Sequence, residues 1–239
     1  MAYFVLIHGA WHGGWCWHKL VGELESRGHA VSAPDLPGHG EDRTPPAGVD
    51  VGRYADFVCE RIDSLADEVV LVGHSLGGLT ISQVAEQRPD RIRSLVYLAA
   101  LIPTPGATPG ARRGLTSEAC LNALRLSEDG SVSLFDPESV REVFYADCSD
   151  EDIAFARPRL CGEPADVARS EVKTSAPKWG RVPRDYIVCR QDQAIPASAQ
   201  QALAEQSGCR NVYSLETSHS PFFSAPAALA QILEQIAET

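Results

Sequence analysis

Apolar runs alternate with amphipathic stretches along most of the chain. "YFVLI" (3–7) predicts a buried strand, and "HKLVGELESRG" (18–28) a helix closed by Gly28. "HAVSAPD" (29–35) reads as a short strand, followed by a Gly/Pro-rich loop from Pro37 to Gly48. Residues 50–66 have helical periodicity with Asp50 as N-cap, and "EVVLVG" (68–73) has the most buried character of any strand. "LGGLTISQVAEQ" continues as a helix and "IRSLVYLAA" (92–100) as a strand. The alternation resumes with a strand at 184–190, a helix near 196–207, a strand at 211–216 and a last helix near 226–237.

Strands apolar on both faces and separated by helices predict an α/β fold: a mainly parallel sheet of about six strands, with helices covering both sides. Residues 103–178 break the pattern. They open on the Pro/Gly-rich "PTPGATPGARRG" and continue as short helical stretches without a clear strand. The expected organisation is a core of 1–102 and 179–239, with 103–178 inserted as a helical cap over one edge of the sheet.

Composition narrows the function classes. Thirty-two acidic residues against 21 Lys and Arg give a net charge of −11. That balance disfavours nucleic-acid and anionic-membrane partners, whose phosphates need a basic surface. No run of 18 apolar residues occurs, and the first strand starts too early for a secretory signal. Seven cysteines lack CxxC or Cys/His spacing, so free thiols in a reducing cytoplasm are expected.

The chemistry lies in "VLVGHSLGG" (70–78). Gly73-His74-Ser75-Leu76-Gly77 fits the G-x-S-x-G nucleophile elbow, in which a sharp strand-to-helix turn pushes the serine hydroxyl above the sheet. Glycines are needed two residues either side because strand and helix pass too close for a β-carbon. A chance match arises in roughly one chain in ten of this length, so the strand before it and the helix after it carry the assignment. In such a fold the base and acid follow in the order Ser, Asp or Glu, His. His219 is the one histidine after Ser75, and Asp192 stands just past the preceding strand; Asp185 lies at that strand's wrong end. Ser75, Asp192 and His219 are therefore the candidate triad.

"HGAWHGGWCWH" (8–18) supplies the remaining part. A zinc site from His8, His12, Cys16 and His18 is disfavoured, because Gly9, Gly13 and Gly14 break the helix that the His8/His12 spacing needs. The loop instead offers the amide of Ala10 which, with that of Leu76, forms a candidate oxyanion hole. Trp11, Leu101, Phe144, Tyr145, Phe222 and Phe223 are candidate pocket residues, whereas Trp15 and Trp17 are expected to pack the first helix.

Together "FVLIHGAWHGGWCWHKL", "HAVSAPDLPGHG", "VLVGHSLGG", "YIVCRQDQAIP" and "SHSPFFSAP" resemble α/β-hydrolases of the plant methylesterase, salicylate-binding-protein and hydroxynitrile-lyase group. The chain is also similar to bacterial carboxylesterases of the pyrethroid-hydrolase type. The resemblance implies an α/β-hydrolase fold and a serine carboxylesterase acting on small to medium hydrophobic or aromatic esters, without cofactor. Lyases of the group carry threonine after the early-loop histidine and lysine after the late histidine; here Gly9 and Ser220 stand there. Ester cleavage is favoured over cyanohydrin cleavage. Lactonase, thioesterase, carbon–carbon lyase and ligand-binding roles stay open, as do monomer and homodimer.

Overall fold

The computed structural model describes residues 1–104 and 114–239, so most of the expected Pro/Gly-rich exit lies outside the described residues. Strands β1 (Tyr3–Ile7), β2 (Ala30–Ser32), β3 (Val69–His74) and β4 (Ile92–Leu98) precede the cap. The cap holds β5 (Leu124–Leu126), β6 (Val132–Phe135) and β7 (Glu163–Pro164); β8 (Arg184–Cys189) and β9 (Asn211–Leu215) follow. The main sheet runs β2-β1-β3-β4-β8-β9, with every neighbouring pair parallel.

Period-two alternation divides the apolar strands between two cores. Phe4, Leu6, Val70 and Val72 face helices α1 (His18–Ser26) and, at the end of the chain, Pro226–Ala237. Val5, Ile7, Val69 and Leu71 face α2 (Val51–Asp63) and α3 (Gly77–Gln87). Both faces are thus buried, as the continuous apolar runs require. Asp50 caps α2 as expected, its Oδ1 accepting from the Arg53 N–H at 2.8 Å. Among the described residues no helix is long and apolar enough to cross a membrane.

The cap is not purely helical. Helices α4 (Glu118–Asn122), α5 (Val140–Phe144), α6 (Asp150–Ala156) and α7 (Ala165–Arg169) share it with an antiparallel sheet, β5-β6-β7. These strands are two to four residues long, too short for alternation to show as a period. A hairpin signal is nevertheless present. Asp129-Gly130 forms the turn, with Gly130 at φ +70° and Asp129 Oδ1 accepting from the Ser131 N–H at 3.0 Å. After β8 come α8 (Ala197–Gln206), α9 (Pro221–Ser224) and α10 (Pro226–Ala237).

Chain order sends β2 to one side of β1 and β4 to the far side of β3, so β1 and β3 flank the point where the winding reverses. Loops leaving adjacent strands there diverge and open a crevice. Ser75 leaves β3 and Ala10 follows β1 at that crevice.

Candidate active site

Ser75 occupies a left-handed turn at φ +52°. Its N–H donates to Leu98 O at 3.2 Å, and its carbonyl accepts from Leu101 N–H at 3.0 Å. The expected glycines are sterically required. A β-carbon on Gly73 would stand 2.8 Å from Gly77 O, and one on Gly77 would stand 2.6 Å from His8 O. Gly78 is as tight, its β-carbon falling 2.2 Å from Leu101 O.

Asp192 and His219 meet as predicted: Nδ1 of His219 donates to Asp192 Oδ2 at 2.6 Å. Both side chains are almost fully buried. Asp192 is held by further donors, the amides of Ala194 (2.6 Å) and Ile195 (2.9 Å) on Oδ1 and Gln200 Nε2 (2.8 Å) on Oδ2. With Nδ1 committed as donor, Nε2 is left as the basic nitrogen of His219. Asp185, set aside from its place on β8, is buried at the opposite end against Arg210 at 2.5 Å.

His74 sits between the two strands' contributions. Its Nε2 donates to the backbone carbonyl of His219 at 2.9 Å, tying the late loop to the elbow. Asp147 of the cap adds a second tie, accepting from the Ser218 N–H at 3.0 Å.

The histidines of the opening loop also act on the backbone. His8 Nδ1 donates to Gly9 O (2.8 Å) while its Nε2 accepts from Leu36 N–H (3.1 Å). Gly9 O and the Ala10 N–H share one rigid peptide plane and point in opposite directions, so gripping the carbonyl aims the amide. His12 Nδ1 holds the next carbonyl, Ala10 O, at 2.7 Å, and its Nε2 accepts from the Tyr145 hydroxyl at 2.6 Å. Neither the Ala10 nor the Leu76 amide donates to an acceptor among the described residues. Both residues line the cavity beside Ser75.

That cavity has a volume of about 160 Å³. Trp11, Leu101 and Phe144 line it as expected, joined by Cys120, Leu121 and Leu124 from the cap and Ile195 from the loop after β8. Tyr145, Phe222 and Phe223 are not among the lining residues and are corrected to core positions. Tyr145 is fully buried and its hydroxyl is spent on His12. Phe222 packs on Trp17 with ring centroids 4.8 Å apart, and Phe223 lies against Tyr145 at 5.7 Å. Sequence reading missed Gln200 and Glu163, buried polar groups whose partners come from distant segments.

Burial lowers the pKa of His8, His12 and His74, with neighbouring histidines adding to it; His12 falls to about 4. For His12 the sign follows directly. Between pH 6.5 and 4 the unfolded chain binds a proton that the folded chain refuses, so stability falls as pH falls through that window. His12 alone contributes a loss of about 2 kcal/mol between pH 7.5 and 5. His39 works in the other direction: burial opposes its charge, but Glu163 outweighs burial and raises it. Its contribution declines as pH rises through its folded value. Denaturant titrations at pH 7.5, 6 and 5 are expected to show a falling midpoint; a constant midpoint would contradict the buried neutral histidines.

A family model for the alpha/beta hydrolase family matches residues 4–232. The chain belongs to that family. It is an esterase-type hydrolase of the superfamily, and its relatives fall in the group that the sequence motifs indicate. It is 30% identical to methylesterase 7 of Arabidopsis thaliana, over 98% of this chain and 96% of that protein. It is 34% identical to a pyrethroid hydrolase of Sphingobium wenxiniae, over 98% and 87%. Among solved structures, tomato methylketone synthase I in complex with 2-tridecanone superposes with a TM-score of 0.90 at 29% identity, covering 99% of this hydrolase and 98% of that chain.

Proposed function

We propose that this hydrolase is a serine carboxylesterase for neutral, hydrophobic esters, acting through an acyl-enzyme on Ser75. The observation that carries the reading is the Asp192–His219 pair at 2.6 Å, with Ser75 facing an apolar cavity of about 160 Å³. In the proposed reaction, His219 Nε2 takes the Ser75 proton as the hydroxyl oxygen attacks the ester carbonyl. Asp192 keeps the proton on Nδ1 and stabilises the imidazolium. The amides of Ala10 and Leu76 receive the oxyanion, the imidazolium protonates the departing alcohol, and water clears the acyl group by the reverse route.

Cavity size suggests the substrate class. A void of comparable volume, about 150 Å³, accommodates a benzene ring, so an acyl or alcohol part the size of one aromatic ring fits. Gly9 supports ester cleavage over the lyase pattern. A β-carbon there would stand 2.8 Å from Ser75 Cβ, so threonine would demand a shifted loop.

Rapid acid quench during turnover of a slowly deacylating aryl ester, followed by peptide mass spectrometry, tests the proposal. The acyl mass is expected on the peptide containing Ser75. Turnover should extend from p-nitrophenyl acetate to benzoate-sized esters. A label elsewhere, or no turnover of any ester in a panel varying both halves, would refute it.

A further inference from the structure

Behind the loop bearing Ala10 lies a buried polar cluster that the acyl transfer does not use. Glu163, on β7 of the cap, is 2% exposed. Its Oε2 accepts from the Trp11 backbone N–H at 3.3 Å and from His39 Nε2 at 2.9 Å. Its Oε1 accepts from the Tyr54 hydroxyl at 3.0 Å. The donors come from three separated parts of the core: the loop after β1, the "PGHG" loop and helix α2. Burial opposes the charge on His39, yet the facing Glu163 carboxylate raises its pKa above the ordinary value. Burying a carboxylate is costly unless donors meet its oxygens, and here three donors do.

What this cluster fixes is a single peptide plane. The bond between Ala10 and Trp11 has its carbonyl held by His12 and its N–H held by Glu163. Trp11 stands at φ +61°, in the left-handed region where a bulky residue is strained. Released at its N–H, the plane would rotate to relieve that strain. The two planes meet at the Ala10 Cα, so a rotation that displaces that atom would pull the candidate oxyanion donor out of line against the His8 grip on Gly9 O. Trp11 is also latched to the cap at two other points, its carbonyl accepting from Cys161 N–H at 3.0 Å and its Nε1 donating to Ser133 O at 3.1 Å.

We propose that Glu163 is a positioning residue of the oxyanion hole: gripping the Trp11 N–H from the cap, it keeps the Ala10 amide aimed at the ester oxygen. This rests on the serine-esterase reading above. Oxyanion contacts form fully only in the transition state, so losing their alignment lowers kcat and spares KM. Glu163 also lines the substrate cavity, and a wall residue would show the opposite split.

The test compares three variants on one p-nitrophenyl ester. Glu163→Leu removes the acceptor. Glu163→Asp keeps the charge but withdraws the carboxylate by about 1.5 Å, one carbon–carbon bond. Glu163→Gln keeps an oxygen for Trp11 and His39 and turns its amide to the Tyr54 hydroxyl, which can accept. Leu and Asp are expected to lose about 10- to 100-fold in kcat with KM within about threefold, and Gln to stay within about fivefold of wild type. Affinity for an aryl trifluoromethyl ketone, which forms an oxyanion adduct on serine, should fall in parallel with kcat. If Leu does not fold, Asp against Gln decides. Unchanged kcat in Asp, a loss confined to KM, or Gln no better than Asp would overturn the proposal. Ser75→Ala with undiminished turnover would overturn the underlying reading and this one with it. Turnover lost in Ser75→Ala but intact in Glu163→Asp would overturn only this one.

Discussion

Ser75→Ala is expected to lower kcat on p-nitrophenyl acetate by about 10⁴-fold or more while leaving the melting temperature within about 2 °C of wild type. The two halves of this expectation have separate causes. Alanine retains the β-carbon, so the left-handed backbone at φ +52° and its bonds to Leu98 and Leu101 persist with the same strain. What disappears is the one atom proposed to form the covalent bond. The amides of Ala10 and Leu76 and the apolar cavity remain, so turnover stays measurably above the uncatalysed reaction. Steady-state kinetics paired with thermal denaturation reads both halves at once. Turnover within tenfold of wild type would show that the chemistry does not pass through Ser75, and a large fall in melting temperature would show that the hydroxyl supports the elbow.

The elbow is legible in the amino-acid sequence because its determinants are local. Gly73 and Gly77 are dictated by contacts within nine residues and with the end of β1 and the residue after it, and Val69–His74 opens on four apolar residues and is buried throughout. The start of α2 is legible for the same reason: Asp50 bonds to Arg53, three residues on. Asp192 and His219 lie 27 residues apart, yet each follows a recognisable strand, so topology brings them together.

Other parts depend on contacts across the fold. Nothing near Glu163 in "LCGEPADVA" marks a buried carboxylate, because its donors lie at residues 11, 39 and 54. Gln200 sits on an amphipathic helix where glutamine is commonplace, but it is fully buried and bonds to both Cys189 and Asp192. Aromatic residues offer too many candidates: Phe144 reaches the cavity, while its neighbour Tyr145 turns inward to His12. The histidines of "HGAWH" illustrate the reverse. Their spacing suggests ligands, but their ring nitrogens are taken up by Gly9, Ala10, Leu36 and Tyr145.

Asp192→Asn is expected to cost about 10⁴-fold in kcat through a change of tautomer. The aspartate receives donors on both oxygens, and an asparagine must place its own NH₂ against one pair of them. On the Oδ1 side stand the amides of Ala194 and Ile195, which cannot reverse. On the Oδ2 side stand Gln200 Nε2 and His219 Nδ1. Gln200 cannot flip, because its Oε1 accepts from the Cys189 N–H and its Nε2 also donates to Ile195 O. His219 is the only donor of the four able to yield, by moving its proton from Nδ1 to Nε2. The asparagine NH₂ therefore faces His219 and selects the tautomer in which Nε2 carries hydrogen. In that form the nitrogen needed to accept the Ser75 proton is already occupied, and general-base catalysis stops although every heavy atom stays in place. Nitrogen-15 NMR of the histidine rings reports the tautomer, and kcat on the same ester reports its consequence. Retention of Nδ1–H with kcat within tenfold of wild type would refute the assignment of Asp192 as the residue that sets the base.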